Sequence, residues 1–276
     1  MRHVIIWLGL LVSGVLQAQL PERHGALDTQ LYLGDGKQQP LVVGFGGSEG
    51  GNAWTSDRWQ TTREAFNEAG FAFLAVGYFG LPNASQQLDR ISLDAIHETI
   101  MAHSQNPQID PHKLILIGGS KGGELVLNLA SRYPDYQAVV ALVPSHVSFP
   151  GLTFNMDHSS WTHQGKEVPF VKATPKIVGP RMTGDLHQVF TLMLEDVDDR
   201  HEALIPVEKI NGSVLLISAQ HDEVWPSTLM SEKVILRLQQ KSFQHPHAHW
   251  PIDGDHASVL DQFPQIIAHL KAQFIH

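Results

Sequence analysis

Short, nearly continuous apolar runs alternate along this chain with longer segments whose apolar positions recur every three or four residues. The runs at 41–45, 71–79, 114–117, 138–143 and 214–218 read as strands, and 58–69, 88–103, 121–133 and 227–239 read as the helices between them. Strands apolar on both sides belong in a parallel sheet covered on both faces, so the fold class is α/β. A strand-like stretch at 243–250 and a final helix at 258–274 complete the alternation.

The alternation breaks between 145 and 206, where Pro, Gly, His and Trp are mixed with scattered apolar residues. That stretch is too long for an ordinary loop and too polar for more of the sheet, so it is expected to be a cap inserted over the active site of one domain spanning 19–276. No internal repeat, low-complexity tract or heptad pattern occurs.

Residues 1–18 place Arg2 and His3 before an apolar run at 4–15, then Leu16, Gln17 and Ala18 before a polar stretch. This is the layout of an export signal cut after Ala18, although Leu16 is bulkier than the residue favoured there. The apolar run is about half of the roughly 20 residues needed to span a membrane. The expectation is a periplasmic or secreted protein with no stable membrane anchor after signal removal; a buried first helix is the alternative.

Composition narrows the function classes. The net charge is −9 and the Lys and Arg residues form no run, so the footprint of a nucleic-acid-binding protein is missing. The absence of cysteine excludes disulfides, thiolate metal sites, a cysteine nucleophile and a lipidated cysteine anchor.

The chemistry begins at Gly118-Gly119-Ser120-Lys121-Gly122, which joins the strand at 114–117 to a helix. A serine on such a turn projects its hydroxyl clear of the sheet, and small neighbours are required where the backbone doubles back. Serine is a weak nucleophile, so it needs an imidazole to take its proton and a carboxylate to hold that imidazole. On this layout the acid follows a late strand and the histidine precedes the last helix. Asp222, just after 214–218, and His256, in Asp253-Gly254-Asp255-His256, occupy those places; Glu223 is read as solvated, and Asp253 and Asp255 as turn formers. An oxyanion needs two N–H donors, expected from Lys121 and from Gly47 or Ser48 in Gly46-Gly47-Ser48-Glu49-Gly50-Gly51. A phosphate cradle at that loop lacks the Gly-Lys-Ser/Thr ending. His245, His247 and His249 alternate as on one strand face, which admits a metal site, but Pro246 suits a polar edge.

Gly118 to Leu125, with the preceding Phe71 to Phe79 strand, the following Val143-Pro144-Ser145, Ile205 to Ile210 and Asp222 to Ser227, resembles the C-terminal catalytic domain of acyl-CoA thioesterases and bile acid-CoA:amino acid N-acyltransferases. The resemblance spans about 41–274 and implies an α/β-hydrolase fold with Ser120, Asp222 and His256 as the triad. The stretch between Ala18 and Leu41 is too short for the N-terminal β-domain of the mammalian members.

These readings converge on a cofactor-free serine hydrolase acting on a small ester or thioester through an acyl-enzyme. Two alternatives stand beside it: acyl transfer to an amine or amino acid, and a non-catalytic binding protein on the same scaffold. Trp161, Phe170, Phe190 and Met193 are expected either to line an acyl pocket or to form the inserted segment's own core.

Overall fold

A computed structural model of the chain describes residues 19–275. The export signal expected at 1–18 lies outside the described residues. The first half contains β1 (Asp28–Tyr32), β2 (Gln39–Phe45), α1 (Gln60–Glu68), β3 (Ala72–Gly77), β4 (Ile91–Ser92), α2 (Leu93–Ser104), β5 (Ile109–Gly119) and α3 (Lys121–Ala130). There follow β6 (Tyr136–Leu142), β7 (Trp161–His163), β8 (Lys166–Glu167), α4 (Val178–Thr183), α5 (Leu186–Leu194), β9 (Ser213–Ala219), α6 (Ser227–Gln240), β10 (His247–Ile252) and α7 (Phe263–Phe274).

Seven strands form one sheet in the order β1-β3-β2-β5-β6-β9-β10, parallel throughout except where β1 runs antiparallel to β3. Successive residues of a strand point to opposite faces, and each face has its own core. Leu41, Val43, Leu116 and Val139 pack with Ile96 of α2, Leu125 of α3 and Val234 of α6. Val42, Phe73, Ile117 and Val140 pack with Phe66 of α1 and Ile266 of α7. Because β5 lies at the centre, the turn after it is held rigidly from both sides.

Three local expectations shift. The helix expected from residue 88 begins at Leu93, where the Ser92 hydroxyl accepts the N–H of Ala95 at 3.1 Å and fixes the start. The strand expected at 243–250 begins only at His247, after Ser242 takes φ 52° and Pro246 offers no donor. The final helix is preceded by a 3-10 turn, Ser258–Gln262.

The stretch 145–206 is not devoid of sheet: β7 pairs with β8 and with β4 in a separate three-stranded sheet. Around α5 a third core gathers Val147, Phe149, Ile177, Val189 and Met193 against Trp225 and Met230.

Candidate active site

Ser120 directly follows β5 and caps α3 with φ 55° and ψ −120°, a conformation that costs energy for a residue with a side chain. The surroundings enforce it. The N–H of Ser120 donates to Leu142 at 2.9 Å, and its carbonyl accepts the N–H of Glu124 at 3.1 Å, beginning α3. A Cβ on Gly118 would strike the carbonyl of Gly122, and one on Gly122 would lie 2.5 Å from the carbonyl of Gly46. The glycines therefore let the serine turn and the Gly-rich loop after β2 touch backbone to backbone.

Asp222 and His256 come together from the loops after β9 and β10. Asp222 is 4% exposed, and its carboxylate Oδ1 accepts Nδ1–H of His256 at 2.8 Å and the N–H groups of Val224 and Trp225 at 3.0 and 3.2 Å. Burial alone would raise the Asp222 carboxyl, but the hydrogen bond and charge of His256 outweigh it and hold the group below its ordinary value. An ionised Asp222 fixes the proton on Nδ1, leaving Nε2 as the ring's acceptor. Glu223 is exposed to solvent, as expected, and its Oε2 in addition accepts the backbone N–H of His256 at 2.9 Å. Asp255 accepts the N–H and hydroxyl of Ser258 at 3.0 and 2.7 Å, starting the terminal turn.

Ser120 and His256 border one cavity of about 340 Å³, together with Gly46, Gly47 and Ser48. No hydrogen bond joins the Ser120 hydroxyl to the imidazole. Among the described residues the N–H groups of Gly47, Ser48 and Lys121 meet no acceptor in the protein. Unoccupied donors beside a serine at a helix N-terminus suit a developing negative charge. The rest of the wall is mostly apolar, with Trp54, Trp59, Val259, Leu260 and Phe263, but it also includes the charged side chains of Glu49 and Arg58. Of the two roles open to the residues of the 145–206 stretch, the structure shows packing. Trp161 and Met193 are buried, Phe190 packs edge-on to Trp225 at 5.3 Å, Phe170 lies under the Lys172 ammonium, and none borders the cavity.

Sequence reasoning used only the backbone of Lys121. Its ammonium is buried and lies 2.7 Å from Glu124 Oε2, while Glu124 Oε1 accepts Nε1–H of Trp161 at 2.7 Å and the N–H of Phe149 at 3.1 Å. Burial pushes the Lys121 ammonium down and the Glu124 carboxyl up, and their mutual attraction opposes both. The pair therefore ties the first turn of α3 to the 145–206 stretch. The available signal was an i, i+3 pair of opposite charges in a largely apolar helix.

The alternating histidines do not converge on one ion. His245 lies outside the strand, His249 bonds the Ser218 hydroxyl at 2.8 Å, and no cluster of three metal-ligating side chains occurs among the described residues.

Residues 91–274 match the family model described as BAAT / Acyl-CoA thioester hydrolase C terminal. Acyl-coenzyme A thioesterase 6 of Mus musculus is 25% identical over 251 residues, covering 91% of this chain and 56% of that protein. Acyl-coenzyme A thioesterase 1 of Homo sapiens is 25% identical over 205 residues, covering 74% of this chain and 46% of that protein. The chain thus spans about half the length of these curated relatives. Among solved structures, DcsB in complex with its substrate analogue superposes with a TM-score of 0.60 at 13% identity, covering 91% of this chain and 95% of that one. The monoacylglycerol lipase of Paleococcus ferrophilus gives 0.53 at 17% identity, covering 89% and 98%. These likenesses give the fold, an α/β hydrolase.

Proposed function

The chain belongs to the BAAT / acyl-CoA thioester hydrolase C-terminal family, and on that premise we propose that it is a serine hydrolase cleaving carboxylic esters or thioesters. The observation that carries the reading is the Asp222–His256 hydrogen bond opening into the cavity that Ser120 borders. The Ser120 hydroxyl attacks the substrate carbonyl carbon and passes its proton to Nε2 of His256. Asp222 holds the ring and stabilises the imidazolium so formed. The N–H of Lys121, with that of Gly47 or Ser48, receives the oxyanion. Collapse expels the alcohol or thiol, which takes the proton from His256 and leaves an acyl group on Ser120. Water, deprotonated by the same imidazole, then releases the acid and restores the serine.

The test is turnover of p-nitrophenyl esters and acyl-CoA thioesters by the purified protein beside Ser120→Ala, with fluorophosphonate labelling of both. Turnover should fall by about a thousandfold or more in the variant, because the three residues act as a unit. Unchanged turnover, or labelling of the variant equal to that of the parent chain, would reject the mechanism. Free acid as the sole product in the presence of glycine or taurine supports hydrolysis over acyl transfer. The reading extends to compartment: residues 1–18 act as an export signal, and N-terminal sequencing of exported protein checks it.

A further inference from the structure

The cavity beside Ser120 changes character along its wall. Near the serine it is backbone, from Gly46, Gly47 and Gly119, with the Glu49 side chain against the two glycines of the loop; farther away it is aromatic. Trp54, Trp59 and Phe263 contact one another, with ring centroids 4.4 Å (Trp54–Trp59), 5.3 Å (Trp59–Phe263) and 5.5 Å (Trp54–Phe263) apart. Trp54 and Phe263 are 4% and 5% exposed, and Trp54 is backed by Phe73 of β3 at 4.8 Å, so these two rings form a fixed floor. Trp59 is only partly buried, with the Arg58 guanidinium 5.6 Å from its ring.

At about 340 Å³ this space lies at the small end of ligand pockets, roughly 300–1,000 Å³. The same volume has to hold the scissile carbonyl and the first atoms of the leaving group, which leaves little for an acyl chain. A long chain would have to displace Trp59 or run into solvent. A flat or short group would bury its apolar surface against rings already held in place, and an aromatic one would add edge-to-face contacts. Resting on the serine-hydrolase reading above, we infer that the acyl side of this site takes a compact apolar group, short-chain or aromatic, and that Trp59 sets its length limit.

The decisive experiment compares p-nitrophenyl acetate, butyrate, benzoate, octanoate and dodecanoate on the full chain and on Trp59→Ala. For the parent chain, kcat/KM should peak at butyrate or benzoate and fall at least about tenfold by dodecanoate, the scale on which pockets discriminate by a methylene or more. In Trp59→Ala the dodecanoate value should rise while the butyrate value falls, a crossing that general unfolding cannot produce. A parent profile that climbs to dodecanoate, or a variant that lowers every ester equally, would overturn the inference. Binding to Ser120→Ala, followed by tryptophan fluorescence, separates this from failure of the serine mechanism. Butyrate and benzoate should bind more tightly than dodecanoate even with no turnover, and tighter binding of dodecanoate would reject the pocket independently of the chemistry.

Discussion

The indole N–H of Trp225 donates to the carbonyl of Val143 at 3.0 Å, tying the loop that carries Asp222 to the end of β6. Val143 holds φ 40°, a conformation that β-branched residues avoid, and its own N–H donates to Ile217 at 2.6 Å. The Trp225 ring also meets the His256 imidazole edge-on at 6.2 Å. Trp225→Phe keeps a ring but strips the carbonyl of its donor. Denaturant unfolding should show a loss of about 1–3 kcal/mol, with a fall in kcat larger than any change in KM. Stability within about 0.5 kcal/mol of the parent would show that the bond is dispensable.

Asp222 and Glu223 are adjacent carboxylates with different tasks, one on the ring of His256 and one on its backbone N–H. Asp222→Asn should lower kcat by about ten-thousandfold, since an amide favours the wrong ring tautomer. Glu223→Gln retains an acceptor for the N–H and should cost less than about tenfold. Steady-state kinetics on the two variants check the assignment, and the reverse ranking would exchange the roles.

The Lys121–Glu124 pair predicts strong coupling. Lys121→Met strands a buried carboxylate and should cost about 3–5 kcal/mol in chemical unfolding. Adding Glu124→Gln, whose carbonyl still accepts from Trp161 and Phe149, should recover much of that loss in a double-mutant cycle. Burial already pushes the Glu124 carboxyl up, so Lys121→Met should be more stable at low pH, where the group is neutral, and should weaken as pH rises. Additive effects of the two substitutions would contradict the pairing.

His146 is 9% exposed, and burial, followed by the charge of Lys233, pushes its imidazole down from 6.5 to about 4. The unfolded chain therefore takes up a proton that the native protein refuses. The resulting stability is present above the unfolded value and lost as pH falls from 6.5 towards 4, amounting to up to about 3 kcal/mol. His146→Gln should flatten this part of the pH–stability curve measured by denaturant midpoint. An unchanged slope would show that other groups carry the acid sensitivity.

The parallel core and the turn at Ser120 were legible because doubly buried strands leave continuous apolar runs and tight turns leave glycines. Asp222 and His256 followed from chain order relative to those strands. By contrast, β1 begins Asp28-Thr29-Gln30, and its residues are exposed or only partly buried; an antiparallel edge strand open to water leaves little apolar signature. The small sheet of β4, β7 and β8 was hidden because two- and three-residue strands carry no measurable period. The aromatic wall was missed for another reason: Phe263 lies far along the chain from Trp54 and Trp59 and meets them only through the tertiary fold.

The two sides of the cavity differ in how freely they can diverge. Ala257, Val259, Leu260 and Phe263 sit on the same short stretch as His256, so any change that moves this backbone also moves the imidazole. Trp54 and Trp59 belong to two 3-10 turns, Ala53–Thr55 and Asp57–Trp59, that carry no proposed reacting group. Mutational drift in selectivity is therefore expected to accumulate on the tryptophan side, while the opposite bank stays pinned by its neighbour's task.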